Sequence, residues 1–400
     1  MNDVRVFHRG SVYTADRPGS WAEAVAVRTG RILMVGGDEE VVGAYPDAVR
    51  IDLGGRTMVP GFIDAHNHYL MTGESLASID ARYPAVASVE DLVAAVAVVA
   101  AATPPGLWIR GFGFDHGKYD RAPTRWDLDR ATTDHPVAIS HVSGHYLLVN
   151  TLSLETAGLD DATPDPKGGR LVRDGEGRVT GLFQDAAQGL VQPVVVDIGS
   201  HGPNFHTEAG LDELVGAIER AGRAFFAAGL TTVCDAQVTR REMAAYREAR
   251  RRGNWWLRVA IMPLSHQLEE YGSIGLAGPF GDDLLWLGPM KFYMDGSLIG
   301  GTAVFSEPYG GDGEFAGLRY WEPAELGSMV GRAHRRGWQV GVHAQGDLAI
   351  EAVLDAFEDA MEAHPRPDPR HRIDAGADTR AELAPRDAVD LFRAIGVVAP

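Results

Sequence analysis

The spacing of apolar and polar residues changes character along this chain, and the changes mark its parts. Up to residue 60 the apolar residues come in short β-prone runs: Val4-Arg5-Val6-Phe7, Ser11-Val12-Tyr13-Thr14, Ala24-Val25-Ala26-Val27 and Arg31-Ile32-Leu33-Met34-Val35. Turn-forming pieces separate them, Arg9-Gly10, Arg17-Pro18-Gly19-Ser20 and Thr29-Gly30. Residues 1–60 therefore read as a small β domain, half of a composite β-sandwich. Residues 70–205 follow no simple repeat. They hold a helix near 88–102, the segment Trp108-Ile109-Arg110-Gly111-Phe112-Gly113, a strand at 136–140, and a Gly/Asp/Pro-rich loop or hairpin at 158–181. The whole region reads as a large insertion covering a site opening.

From about residue 209 the pattern alternates between helical and strand periods. Helices at 210–228, 239–252, near 266–275, 322–336 and 347–363 interleave with strands at 230–235, 257–261, 286–292, 339–343 and 370–374. A last helix, about 382–393, precedes Gly396-Val397-Val398. Such alternation predicts a parallel sheet with helical cover. Six strands are complete when counted from residue 62, and a seventh begins at 396. The expected fold is α/β: a (β/α)8 TIM-type barrel over 61–400, with strands 7 and 8 incomplete or absent. An open barrel edge predicts aggregation or a homo-oligomer.

Composition narrows the function classes. Four hundred residues exceed the usual size of one core, and 45% apolar with 23% charged residues is ordinary for a soluble enzyme. A formal charge of −18 argues against nucleic acid or an anionic membrane as partner. Cys234 is the only cysteine, which excludes an intrachain disulfide and fits a reducing, cytoplasmic compartment. The start, Met1-Asn2-Asp3-Val4-Arg5, shows no signal peptide, and the apolar run at 92–102 is too short to cross a bilayer. A small-molecule substrate is the remaining partner class.

Candidate chemistry begins at Val59-Pro60-Gly61-Phe62-Ile63-Asp64-Ala65-His66-Asn67-His68. Residues i and i+2 of a strand point the same way, so His66 and His68 leave the strand end on one face, able to grip one ion. By itself this pair is a weak signal among fourteen histidines. Other polar residues fall at expected strand ends: Asp235, Lys291, His343 and Asp374. Three of these have a plain structural alternative. Lys291 is a strand-edge lysine that snorkels, His343 a hydrogen-bonded core imidazole, Asp235 a cap for the next helix. His141, His145, Asp115 and His116 are loop residues or substrate contacts. A lysine beside two metal ions makes little sense as an amine, but CO2 addition would turn it into an anionic oxygen ligand. No G-x-G-x-x-G follows a first strand, so a nicotinamide-dependent enzyme is disfavoured.

Taken together, these motifs resemble the amidohydrolase superfamily, and within it amidohydrolase family 3. The resemblance covers residues 1–374. It rests on the 60–68 segment, on Leu128-Asp129 with Gly144-His145 and Asn150, and on Gly229-Leu230-Thr231-Thr232-Val233-Cys234-Asp235. It continues through 291–303 and Val342-His343-Ala344-Gln345-Gly346-Asp347-Leu348-Ala349-Ile350. It implies a (β/α)8 barrel beside a small β-sandwich, and a divalent metal, zinc above all, as one or two ions. It also implies ligands His66, His68, His343 and an N6-carboxylated Lys291. Metal-activated water would then hydrolyse a C–N bond other than a peptide bond, in an amide or formamide. His145 looks like a donor that orients the substrate carbonyl, with Trp108, Phe112 and Phe114 lining an apolar pocket.

Two departures stand out. Asp374-Ala375 occupies the place of the family's strand-six Glu-His, and His371 lies too early to substitute. The strand-eight aspartate falls beyond Pro400. The alternative expectation is a catalytically defective or truncated relative, or one completed by another chain.

Overall fold

The computed structural model describes residues 4–191, 196–204, 206, 209–309 and 315–374. Ala375, the helix expected at 382–393 and the strand at 396–398 lie outside the described residues. The chain divides into two compact units, Met1–Ile63 and Asp64–Pro400.

The first unit contains β1 (Arg5–His8), β2 (Ser11–Tyr13), β3 (Trp21–Ala22), β4 (Ala24–Arg28), β5 (Arg31–Gly36), α1 (Asp38–Ala44), β6 (Val49–Asp52) and β7 (Thr57–Met58). They form two small sheets, in the orders β5-β4-β1-β6 and β3-β2-β7. The four β-prone runs of the sequence are β1, β2, β4 and β5. Alternation along β1 and β4 turns Val6, Ala24 and Ala26 inward, where they are fully buried. Helix α1 was not expected, although Asp38, Glu39 and Glu40 complement the positive end of a helix in its first turn. It is anchored by Val41, which is fully buried in the same core.

The second unit opens with β8 (Phe62–Asn67) and α2 (Tyr69–Ser75). There follow β9 (Ile79–Asp80), α3 (Val89–Ala102), β10 (Ile109–Phe114), α4 (Arg125–Ala131), β11 (Val137–His141), β12 (Tyr146–Val149), α5 (Thr151–Thr156), β13 (Gly169–Arg173) and β14 (Val179–Asp185). The region without a sequence repeat is thus ordered, around a six-stranded sheet β13-β14-β12-β11-β10-β9. Its period-2 alternation serves two cores. Ile109, Ile139, Leu148 and Leu182 face α3 and α4, while Ala138, Leu147 and Phe183 pack on the opposite face.

The remaining elements are α6 (Leu211–Ala227), β15 (Leu230–Val238), α7 (Arg240–Arg252), β16 (Arg258–Pro263), α8 (Leu268–Ser273), β17 (Phe280–Gly281), β18 (Leu285–Leu287), β19 (Met290–Tyr293), α9 (Pro323–Arg335), β20 (Val340–His343), α10 (Asp347–Ala363) and β21 (Arg372–Asp374). Local signals explain their ends. Thr239 and Glu242 form a reciprocal capping box at the start of α7, and Gly253 ends it at φ +79°. Strands β15, β16 and β18 run parallel, as do β19, β20 and β21. Strand β8 neighbours β15, and a parallel bridge Leu264–Lys291 joins the two groups. The order β8, β15, β16, β18–β19, β20, β21 gives the six strands expected from the pattern. The handover within β18–β19 occurs at Pro289: Gly288 N–H donates to the Ile261 carbonyl (2.8 Å) and Met290 N–H to that of Gln339 (2.8 Å). The main core includes the fully buried Trp338, Tyr246, Phe292 and Phe357. Burial of each such side chain contributes about 2–3 kcal/mol. Among the described residues no helix is long and apolar enough to cross a membrane.

Candidate metal and catalytic centre

His66, Lys291, His343 and Asp374 come together on β8, β19, β20 and β21, Lys291 as the second residue of β19. His66 lies at the end of β8, and His68 stands at the N-cap of α2. Their rings are 5.4 Å apart and perpendicular. His66 Nδ1 sits 3.2 Å from Asp374 Oδ2, but misaligned, so that it makes no hydrogen bond.

Lys291 is fully buried, which rules out snorkelling. Its Nζ donates to Asp374 Oδ2 (2.9 Å) and lies 4.7 Å from the Tyr293 ring centre. Arg372 Nε is 2.9 Å from the other oxygen of Asp374. One carboxylate at the end of β21 therefore faces three nitrogen side chains.

Burial and charge set the protonation states. Burial lowers the pKa of His66, helped by the Lys291 charge. Burial, then His66, pulls His68 well below the ordinary imidazole value, and burial, then His145, does the same for His343. These rings are neutral at pH 7, the state in which an imidazole binds metal. Burial also lowers Lys291, against the pull of Asp374. Burial would raise Asp374, but Lys291 and His66 outweigh it and hold the carboxyl well below its usual range.

His343 Nε2 lies 2.8 Å from the Gly296 carbonyl. It therefore donates there and keeps its lone pair on Nδ1. Its ring is 5.1 Å from that of His145 and 5.3 Å from Tyr293. His145 Nδ1 is 2.6 Å from Asp185 Oδ1. Asp295 organises the loops around His343, accepting from Val304 N (2.8 Å), Gln345 N (2.9 Å) and Gly346 N (2.9 Å). Burial raises its pKa to about 7. Gly346 is needed because a Cβ there would stand 2.0 Å from the Val304 carbonyl.

Several sequence expectations take different places. Asp235 sits within β15, not at its end, and does not cap the helix that follows. It accepts from Tyr69 N of α2 (2.8 Å) and from the Tyr246 hydroxyl, and burial raises its pKa to about 7. His141 is buried in a ring cluster with Phe114, His116 and Tyr146. Its Nδ1 is 2.8 Å from Ser143 Oγ, and burial lowers its pKa to about 4. His116 and Asp115 lie beside it, with Asp115 Oδ1 3.9 Å from His141 Nε2. Trp108 and Phe112 line a cavity of about 660 Å³ with Arg110, Arg220, Glu74 and Met71. Phe114 does not join them; it is fully buried.

His371 lies at the far end of β21. Its Nδ1 accepts from Val340 N (3.0 Å), so its hydrogen is on Nε2 and points to His334 Nδ1 (2.8 Å). His334 Nε2 then donates to the His364 carbonyl (2.7 Å).

Asp185, Asp295 and Tyr320 escaped the sequence reading. Only the acid that ends the run Val179-Thr180-Gly181-Leu182-Phe183-Gln184-Asp185 carried a signal.

Among the described residues no three His, Cys, Asp or Glu side chains stand together at metal-ligand spacing. The donors gathered here are nevertheless three neutral imidazoles, a buried carboxylate and an amine, and His66 Nδ1 faces Asp374 without a hydrogen bond. That donor set suits a divalent ion of zinc type.

The sequence profile described as "Amidohydrolase family" matches residues 50–400. The chain is 32% identical to "Putative amidohydrolase YtcJ" of Bacillus subtilis, over 92% of this chain and 67% of that protein. It is 30% identical to "N-substituted formamide deformylase" of Arthrobacter pascens, over 90% of this chain and 66% of that one. The chain thus spans about two thirds of these relatives. Among solved structures, an uncharacterized metal-dependent hydrolase from Pyrococcus horikoshii superposes with a TM-score of 0.71 at 25% identity, covering 98% of this chain and 72% of that one. One from Pyrococcus furiosus gives 0.71 at 26%, covering 98% and 76%.

Proposed function

Because the chain belongs to the amidohydrolase family, we propose that it hydrolyses C–N bonds other than peptide bonds in small amides or formamides, with a divalent metal. The observation that carries this is the convergence of His66 and Lys291 on Asp374, beside His68 and His343. The formamide class is supported by the 30% identity to a formamide deformylase. In this reading the six parallel strands belong to a (β/α)8 barrel over 61–400, 1–60 is a separate β domain, and the insertion at 70–205 covers the site.

His66, His68, Lys291 and His343 would hold the ion, zinc in particular. When bound, it supplies Lewis acidity and lowers the pKa of water. Burial lowers the Lys291 pKa, and the amine, once it has lost its proton, can add CO2 and release a further proton to become an N6-carboxylated oxygen donor. Asp374 fixes the Lys291 nitrogen in place. His145 meets the substrate from the insertion side. The cavity with Trp108, Phe112 and Arg110 takes the nitrogen substituent and keeps water from it.

The test is metal analysis of the purified chain, followed by hydrolysis of a formamide and amide panel with added zinc. The expected result is at least one equivalent of metal, lost in the double variant His66→Ala/His68→Ala, together with amine release. A chain that neither binds zinc nor turns over any panel member would overturn the proposal. It would favour instead a defective relative, the reading suggested by Ala375.

A further inference from the structure

His145 and Asp185 lie 40 positions apart in the chain and meet across β12 and β14. Tyr146 pairs with Gln184 in the antiparallel register, so the next residues outward face each other. The Asp185 N–H donates to the His145 carbonyl (2.9 Å), and the side chains close at 2.6 Å between His145 Nδ1 and Asp185 Oδ1. Asp185 is fully buried and His145 is 5% exposed. The Tyr320 hydroxyl, itself fully buried, donates to the same Oδ1 (3.1 Å). Asp185 Oδ2 has no hydrogen-bond partner and rests against Gly296, where a Cβ would come within 2.9 Å of it. The backbone at Asp185 has φ +49°, ψ −121°, a conformation rarely adopted by a residue with a side chain.

A carboxylate oxygen taking two donors constrains the imidazole. The hydrogen between the pair belongs to His145 Nδ1, and the neutral ring then keeps its lone pair on Nε2. We propose that Asp185 is a positioning residue that holds His145 as the Nδ1–H tautomer, so that His145 meets the catalytic centre as a hydrogen-bond acceptor. This reverses the role expected from the sequence, in which His145 donates to a substrate carbonyl. It points to a substrate or water N–H or O–H as the group His145 orients. Carboxylate–imidazole pairs fix ring orientation in the same way around other metal centres. The meaning for catalysis rests on the proposed function; the tautomer does not.

The experiment is long-range 1H–15N NMR of the full chain labelled at histidine, read at the alkaline plateau of a pH series. Loss of one signal in His145→Gln assigns the ring. The wild-type ring is expected to show the Nδ1–H pattern essentially completely. Asp185→Ala is expected to shift it to a majority of Nε2–H, while Tyr320→Phe, which leaves the carboxylate in place, keeps Nδ1–H. An Nε2–H ring in the wild type overturns the proposal outright, even if Asp185→Ala fails to fold. Unchanged Nδ1–H in a folded Asp185→Ala also overturns it. A chain with the expected tautomer that neither binds zinc nor turns over any panel member refutes the proposed function and leaves this assignment standing.

Discussion

Substituting His371 tests how the far end of β21 is held. Its neighbours fix its protonation: Val340 N–H occupies Nδ1, and Nε2–H is given to His334. A second proton on His371 would meet the Val340 N–H head-on. Burial, then His334 and Arg366, lowers its pKa from 6.5 to about 3. Arg366 Nη1 approaches His334 Nδ1 (3.5 Å) and Phe357 stacks on the His371 ring, so the group that faces it carries no negative charge. The native state thus binds fewer protons than the unfolded chain below pH 6.5. The stability linked to His371 is complete above that value and lost as the pH falls towards the folded value. From about pH 7.5 to about pH 5.5 the loss is about 1.4 kcal/mol, and it hardly changes for any folded pKa below about 4.5.

His371→Gln can keep both hydrogen bonds, its amide oxygen accepting from Val340 and its NH2 donating to His334. It should unfold in urea within about 1 kcal/mol of wild type at neutral pH, yet lack about 1.4 kcal/mol of the acid-side loss. His141 and His201, both lowered to about 4 by burial, contribute equally to the two proteins. The difference in midpoint therefore isolates His371. His371→Leu orphans two buried groups and should cost roughly 2–5 kcal/mol at neutral pH. The reasoning fails if the glutamine variant shows the wild-type pH dependence to within about 0.3 kcal/mol.

Four further outcomes are expected. Asp374→Ala leaves Lys291 buried without its carboxylate and should destabilise the metal-free protein by about 3–5 kcal/mol at neutral pH in urea titration. Tyr246→Phe removes one of the donors to Asp235 and should lower stability by about 1–3 kcal/mol; unchanged unfolding would mean the bond adds nothing. Gly346→Ala forces Val304 away and should cost about 1–3 kcal/mol, visible as a lower melting temperature. If the proposed function holds, Trp108→Ala should raise KM for bulky N-substituted formamides several-fold while leaving the smallest member of the panel little affected.

The legibility of the chain followed the range of the interactions concerned. Helices such as α6, α7 and α10 carry their own periodicity, α7 its caps as well, and β11, β16 and β20 are β-branched runs with turn residues beside them. Each can be recognised within a window of about 15 residues. His66, His68, Lys291 and His343 are candidates in the sequence because polar residues at the ends of apolar strands stand out locally. Asp185 did not stand out, since its partner lies 40 positions away and is set by an antiparallel register. Asp235 was misplaced for a similar reason: it caps a helix 166 residues upstream. The sheet of β9 to β14 was legible only at β11 and in the hairpin around β13 and β14, because both its faces are covered and its strands lack the alternation that a half-exposed sheet shows.

The break at Pro289 has a mechanical meaning. Proline has no N–H to offer, and it stands between the last bond given to Ile261 and the first given to Gln339. The parallel strands are therefore two zippers sharing one tooth, with Lys291 on the bridge between them. Under load, or in a local fluctuation, they can part there with few backbone bonds broken. The buried lysine is placed on the line along which the two would separate.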